Sequence, residues 1–392
     1  MKILSVNAGS SSLKFTLFEL PEKNELISGT FEKIGIGNSF YTIKINGEKI
    51  KREVDLKDHG VAVNILIEEL LNNGVISSLD DLDGIGHRVV NGGPKYSKTF
   101  IITDEFMEEA KDIIDFAPVH NPAHITGIKA FREALPTTPQ TVVFDTAFHS
   151  TMEPTEYLYA VPYEWFEKYS VRKYGAHGTS HRYVYKTICE YMGRDDLKVI
   201  NCHLGNGSSL CAVDAGRVVD TSMGFTPLVG VPMGTRSGDI DPSIIPYIML
   251  KENKTCQEVI DDLNKKSGLL GISGVSSDSR DIEEGIEAGN ERCALINEML
   301  CRRIANYIAM YNNMLNGADV ITFTAGIGEN SKKTRQRVIE LVQSLGVKID
   351  PERNDVRGKF TLISTDDSKI PIYIVPTNEE LMIAMETYDL IK

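Results

Sequence analysis

Five polar clusters stand where apolar runs give way to turns, and their residue types suit the handling of anions. Arg88, in His87-Arg88-Val89-Val90-Asn91-Gly92-Gly93, closes a short apolar run and enters a glycine turn. A guanidinium there can grip a carboxylate or phosphate through two parallel N–H bonds, or pair with a surface acid. Asp145, in Phe144-Asp145-Thr146-Ala147-Phe148-His149, directly follows an apolar run, a position for a metal ligand, a catalytic carboxylate or a helix cap. His177 lies between glycines in Gly175-Ala176-His177-Gly178-Thr179-Ser180-His181, where little packs around it and a ligand can reach it. Arg236 lies in the loop Met233-Gly234-Thr235-Arg236-Ser237-Gly238-Asp239-Ile240-Asp241-Pro242. A second arginine there would complement Arg88 in trapping a transferring phosphoryl group, unless it pairs with an Asp of its own loop. Gly326-Ile327-Gly328-Glu329-Asn330 follows Phe323-Thr324 at the opening of a helix and suits close approach of a nucleotide.

Other chemistries find less support. The third glycine of a dinucleotide fingerprint is missing, and there is neither a Walker lysine motif nor a G-x-S-x-G elbow. His120/His124 and His177/His181 have the i,i+4 spacing of zinc ligands. However, Pro122 interrupts the first pair, glycines precede the second, and no HExxH arrangement occurs.

The elements that must carry these groups follow from two similar hairpins. Ile3 to Phe18 reads as strand, Asn7-Ala8-Gly9-Ser10-Ser11-Ser12 turn and return strand, with Lys14 just past the turn where a cation can reach a bound anion. Val199 to Val213 repeats the plan: apolar strand, Asn201, the turn Gly205-Asn206-Gly207, the paired serines Ser208 and Ser209, apolar strand. Two copies predict a duplicated domain with an anion-gripping turn of small residues in each half. In the first half a third strand is expected at 40–47, helices at 61–71, 104–115 and 122–135, and strands at 85–90 and 141–144, giving the order β-β-β-α-β-α-α-β. In the second, 157–174 reads as irregular. Strands follow at 198–202, 208–213 and 217–219, then a functional-looking glycine loop at 224–238. Helices are expected at about 242–251, 255–265, 281–315, 332–345 and 378–390, with strands at 319–324 and 371–375.

Composition sets the outer bounds. A chain of 392 residues is long enough for two domains, and 42% apolar with 25% charged residues is ordinary for a globular enzyme. A net charge of -13 argues against nucleic acid or an anionic membrane as partner. No apolar run approaches the roughly 20 residues of a membrane span, and Met1 leads straight into a strand pattern, so no leader peptide is expected. Six cysteines without a C-x-x-C pair suit reduced, buried thiols and a cytoplasmic location.

Taken together, the stretches Val6–Lys14, Phe144–His149, Gly175–His181, His203–Ser209, Gly234–Gly238, Gly326–Asn330 and Pro376–Glu380 resemble the signatures of the acetate kinase family, in the expected order from residue 3 to residue 382. The resemblance implies an α/β fold of the actin and sugar-kinase superfamily, with duplicated ribonuclease H-like domains (a βββαβαβα core) facing across a central cleft. It implies a first domain over 1–148, on the acetate and phosphate side and completed by the helix 380–392, and a nucleotide-binding domain over 149–379. It implies a homodimer that reversibly phosphorylates acetate to acetyl phosphate with Mg-ATP, Mn2+ being able to replace Mg2+. Carried over by position, Arg88 and Arg236 would bind the acetate carboxylate and the phosphoryl group, His177 would stabilise the transferring phosphoryl, and Asp145 would be the active-site acid. Asn7 and Glu379 would serve magnesium. ATP would meet Lys14, the turn His203-Leu204-Gly205-Asn206-Gly207, the segment Asp278-Ser279-Arg280, and Gly326-Ile327-Gly328-Glu329-Asn330. Val90, Val119 and Pro227 would line a small apolar acetate pocket.

Two departures bear on substrate size. The family usually has Leu where Val119 stands, and an acid after Leu228 where this chain has Val229, with Pro232 added nearby. A methylene less in an apolar pocket changes discrimination by about 1–3 kcal/mol, so propionate or another short-chain acid is the alternative substrate. A nucleotide-dependent switch without a phosphoryl acceptor and a zinc hydrolase are the readings from other classes.

Overall fold

The computed structural model describes residues 1–118 and 120–392. The chain forms two compact units, Met1–Phe148 with Asn378–Lys392, and His149–Thr377.

The first unit is built on one sheet. Strands β1 (Lys2–Ala8), β2 (Ser12–Glu19), β3 (Asn24–Glu32), β4 (Phe40–Ile45), β5 (Glu48–Glu53), β6 (Gly84–Val89), β7 (Phe100–Ile101) and β8 (Gln140–Phe144) lie in the order β5-β4-β3-β2-β1-β6-β8-β7. The first hairpin pairs Asn7 with Lys14 and is closed by Gly9 N–H donating to Ser12 O at 2.7 Å. β1 then runs parallel to β6, and β6 parallel to β8. Central strands covered on both faces carry apolar residues nearly throughout, as Ile3, Leu4 and Val6 of β1 do. The helices His59–Asn72 and Asn121–Ala134 bury Ala62, Val63, Leu66, Leu70 and Phe131 in the same core.

The C-terminal helix Glu379–Ile391 belongs to this unit for a local reason. A Cβ at Gly86 would lie 2.3 Å from Thr387 Oγ1 and 2.6 Å from Ile383 Cγ2, so only a glycine lets the helix lie this close to β6. The Thr141 and Thr387 hydroxyls then meet at 2.7 Å inside the core. Asn378 caps the helix by accepting the Leu381 N–H at 2.9 Å, so 378 and 379 travel with it. Glu379 therefore falls in the first unit, a correction to a second domain running to residue 379.

The second unit repeats the scheme with β9 (Lys198–Leu204), β10 (Ser208–Asp214), β11 (Arg217–Thr221), β12 (Val320–Thr324), β13 (Thr361–Leu362) and β14 (Ile372–Ile374), ordered β11-β10-β9-β12-β14-β13. The runs β3-β2-β1-β6-β8 and β11-β10-β9-β12-β14 share order and sense: two antiparallel pairings, then two parallel ones. That shared order is the duplicated α/β core. The helix Glu291–Met314 lays Cys293, Ile296, Leu300, Ile304 and Ile308 against the sheet at helical spacing, packing on Cys202, Leu210, Ile321 and Phe323.

Several expected elements differ. The strand expected third is the fourth, because β3 precedes it, and β5 and β7 add two edge strands. The helix expected over 281–315 is two, Ser279–Glu287 and Glu291–Met314, broken where Gly289 takes a left-handed φ of 81° and Asn290 caps the second. The stretch 157–174 is not wholly irregular, since Tyr163–Tyr169 is helical, and the segment 104–115 is an α-helix only to Glu109, continuing as a 3-10 helix. No helix among the described residues is long and apolar enough to cross a membrane.

Candidate functional site

In the first unit, β6 and β8 run parallel and end side by side, which brings Arg88 to Asp145. Arg88 Nε and Nη2 both donate to Asp145 Oδ2, at 3.1 and 2.5 Å, and Nη1 donates to Asn7 Oδ1 at 3.3 Å. Asp145 is buried at 1% exposure, while the Arg88 side chain keeps 20%. Arg88 thus pairs with a buried carboxylate rather than a surface acid. Burial opposes its charge, but Asp145 and then Glu379 outweigh that, so it titrates above the ordinary arginine range. The Glu379 carboxyl is pushed up to about 7, first by burial and then by the charge of Asp145. Asn7, Asp145 and Glu379 form an all-oxygen donor set in which the carboxylate repulsion is only partly relieved by Arg88. No group of three or more His, Cys, Asp or Glu poised for a metal occurs among the described residues. A small hard cation that keeps its waters and takes phosphate oxygens fits such a set; a fully caged metal does not.

Three other first-unit residues complete this region. Lys14, across the hairpin from Asn7, forms an ion pair with Glu380. Val90 is buried at the end of β6. His124 is buried with Nδ1 unpartnered, and burial followed by the Arg88 charge lowers it to about 3. Val119 lies outside the described residues.

In the second unit, β9 and β10 carry the glycine turn. Gly205 N–H donates to Gly207 O at 3.1 Å, and Ser208 Oγ donates to Gly205 O at 2.9 Å. The paired serines turn their hydroxyls inward: Ser208 and Ser209 are 1% and 0% exposed, and both are bonded within the unit. His177 holds a left-handed backbone, φ 58°, before the helix Gly178–Met192. Its Nδ1 meets Ser209 Oγ at 2.9 Å, and its ring stacks on His203 with centroids 4.1 Å apart. A Cβ at Gly207 would lie 3.3 Å from His177 Nε2 and 3.5 Å from Arg236 Nη1, so the two nitrogens flank the same point of the turn.

The Arg236 loop is pressed onto that turn. Gly234 N–H donates to Asn206 O at 3.0 Å, and a Cβ at Gly234 would fall 1.9 Å from Asn206 Oδ1. Arg236 is partly buried, which lowers its pKa, and its contacts are Pro227 O at 3.4 Å and Met233 Sδ at 3.9 Å. It has no carboxylate partner among the described residues. Of the two Asp of its loop, Asp239 serves Gly230 N–H and the Tyr307 hydroxyl, and Asp241 accepts the Ser243 N–H at 2.8 Å, which removes pairing within the loop as an explanation for Arg236.

Beside the turn opens a cavity of about 650 Å³. Gly205 and Asn206, Asp278, Ser279 and Arg280, and Gly326, Ile327 and Asn330 line it. Asp278 caps the helix Ser279–Glu287 and takes Arg280 Nη2 at 2.6 Å, which holds its carboxyl down at about 2. Some sequence-assigned nucleotide residues stand behind the lining. Leu204 is 1% exposed in the core, a strand position facing inward. Gly328 O accepts from the buried Arg335 Nη1 at 2.9 Å. Glu329 Oε1 accepts backbone N–H bonds from Ala325 at 2.8 Å and Thr377 at 3.1 Å, tying the turn rather than facing the cavity. Glu283, Ser331 and Arg357 also line the cavity and were missed, since nothing in their local sequence marks them.

Comparison with known proteins shows the family. The family model described as Acetokinase family matches residues 2–385. The chain is 54% identical to the acetate kinase of Bacillus subtilis (strain 168), over 100% of both chains. It superposes on the crystal structure of Porphyromonas gingivalis acetate kinase with a TM-score of 0.95 at 42% identity, covering 100% of each chain. A propionate kinase from Francisella tularensis is similar too, with a TM-score of 0.93 at 41% identity over 99% of each.

Proposed function

The chain belongs to the acetokinase family and catalyses phosphoryl transfer between ATP and acetate, and from that premise we propose that the transfer is direct and in line, with two arginines and a histidine offsetting the repulsion between the anions. A short carboxylic acid titrates near a Glu side chain, about 4.3, so acetate is already an anion at neutral pH and needs no strong base. The barrier lies in bringing it against the γ-phosphate, whose equatorial oxygens carry the developing charge.

The observation that carries this reading is the pair of donors over Gly207, His177 Nε2 and Arg236 Nη1. The turn beneath them continues, through Asn206 and Gly205, into the wall of the 650 Å³ cavity. A nucleoside seated there would run its phosphates along the turn toward both donors. Arg236 has no carboxylate partner among the described residues, which suits it to the phosphoryl group. Arg88 binds the acetate carboxylate, and Asp145 orients Arg88 by holding two of its nitrogens. Asn7 and Glu379 would hold Mg2+, or Mn2+ in its place, which when bound supplies positive charge to the donor phosphates. Lys14 serves the donor phosphates. Val90 and Pro227 are assigned to the acyl group, as the family resemblance implies.

We read the working form as a cytoplasmic homodimer. Five of the six cysteines are buried free thiols, as a reducing compartment favours. Tyr163, Trp165, Tyr169, Tyr247 and Leu250 expose large apolar surface of the kind that dimer interfaces cover. The test of function is turnover with ATP and Mg2+ across acids of two to four carbons. Acetate as the best acceptor supports the reading; a kcat/KM that peaks at propionate moves the assignment to the alternative substrate.

A further inference from the structure

The second unit holds a line of buried polar side chains behind His177 that the phosphoryl chemistry does not itself require. His177 Nδ1 meets Ser209 Oγ at 2.9 Å, and His181 Nε2 meets the same Ser209 Oγ at 2.7 Å. His181 Nδ1 meets Asn201 Nδ2 at 2.8 Å, and Thr322 Oγ1 donates to Asn201 Oδ1 at 2.8 Å. Asn201, Ser209, His181 and Thr322 are all at most 1% exposed.

We propose that Thr322, Asn201, His181 and Ser209 act as positioning residues that fix His177 as the neutral tautomer with its proton on Nε2, so that it meets the phosphoryl group as a hydrogen-bond donor. The deduction runs from the closed end of the line. The Thr322 hydroxyl is fully buried, and Asn201 Oδ1 is the acceptor within its reach. A flipped Asn201 amide would leave that O–H without an acceptor, at about 1–3 kcal/mol. Asn201 therefore turns its NH2 to His181, and a donor facing Nδ1 requires a lone pair there. Burial keeps His181 neutral, so its one proton sits on Nε2 and is donated to Ser209 Oγ. Ser209 has one proton of its own and passes it to His177 Nδ1. Nδ1 of His177 then holds a lone pair, and the ring's proton is on Nε2, the atom 3.3 Å from the Cβ position of Gly207. A second proton on His177 would have to enter at Nδ1, against the Ser209 hydroxyl. The ring thus donates one bond and is not set up as a base.

The inference rests on reading His177 as a phosphoryl contact, but its first test does not depend on turnover. In full-length protein labelled with 15N histidine, two-bond proton–nitrogen correlations distinguish the tautomers, and the His177 signals are identified by their loss in His177→Gln. We expect an unprotonated Nδ1 and a protonated Nε2 at neutral pH. A protonated Nδ1 on His177 overturns the proposal, whatever the activity. The second test is Asn201→Asp, which offers His181 Nδ1 an acceptor in place of a donor. Reversal of the line strips Nε2 of its proton, and removal of one donor to a transition-state oxygen lowers kcat by roughly 100-fold. Both substrate KM values should stay within about threefold and the His177 proton should move to Nδ1. Wild-type kcat with an unmoved His177 spectrum in that variant also overturns it. Absence of acetate-dependent ATP turnover in the wild type refutes the proposed function alone, because the tautomer remains readable.

Discussion

Arg88 and Asp145 meet through two guanidinium nitrogens on one carboxylate oxygen, Oδ2, where the parallel strands β6 and β8 end together. The pair is both a fold element and a site element, and this sets the outcome of breaking it. Arg88→Ala leaves a 1%-exposed carboxylate without its main counter-charge, and loss of one partner of a buried pair costs about 3–5 kcal/mol. It should lower thermal stability as well as cut turnover by at least roughly 100-fold. Arg88→Lys should restore stability more than activity, because a single ammonium cannot hold the forked geometry. Steady-state kinetics beside thermal unfolding of both variants check this.

Arg236→Ala should separate the two effects. Among the described residues its guanidinium bonds Pro227 O at 3.4 Å and Met233 Sδ at 3.9 Å, so little native bonding is lost. Turnover should fall by at least roughly 100-fold while the unfolding midpoint stays within a few degrees of wild type. Wild-type-like turnover would remove Arg236 from the chemistry.

Gly234→Ala tests the contact between the Arg236 loop and the glycine turn. The new Cβ would fall 1.9 Å from Asn206 Oδ1 and 2.9 Å from Asn206 Cγ, and Asn206 lines the cavity. Overpacking of this kind costs about 1–3 kcal/mol and should displace the turn. The KM for ATP should rise about tenfold or more with the acetate KM little changed, read from initial rates at saturating co-substrate.

Acid stability should be set in part by buried histidines, two of them in the first unit, with His181 of the second unit shifted in the same direction by burial. Burial lowers His87 to about 4 and His124 to about 3, against 6.5 for a free imidazole. In both, the unfolded chain binds the proton first, so their stabilising effect is complete above about pH 6.5 and is withdrawn as pH falls toward the folded values. At pH 5 each withdraws about 2 kcal/mol. Denaturant titrations at pH 7.5 and pH 5 check the slope, and His87→Gln should remove its share.

The candidate site was most legible where a charged or imidazole side chain stands at a local turn. Arg88, Asp145, His177 and Arg236 each stand at a strand end or in a glycine loop, and such signals survive without knowledge of the fold. Leu204 was assigned with its neighbours in the turn, but alternation along β9 sends its side chain into the core. Ser209 stood out only as one of the paired serines of the second hairpin, whereas two histidines claim its hydroxyl. His181 carried the i,i+4 spacing of a metal ligand to His177, whereas its partners Asn201 and Ser209 come from other elements, which spacing does not reveal. β5 was missed because Glu48-Lys49-Ile50-Lys51-Arg52-Glu53 is an edge strand with one apolar residue. The break at Gly289 and Asn290 was overrun because apolar residues continue at helical spacing on both sides.

Direct transfer is tested by following labelled phosphate from γ-labelled ATP with Mg2+, with and without acetate, and then counting acid-precipitated protein and the acyl phosphate separated intact from ATP and inorganic phosphate by chromatography. Label should reach acyl phosphate only when acetate is present, and the protein should stay unlabelled with ATP alone. Protein that takes up acid-resistant label from ATP alone, and passes it to acetate in a second step, would contradict in-line transfer between two anions.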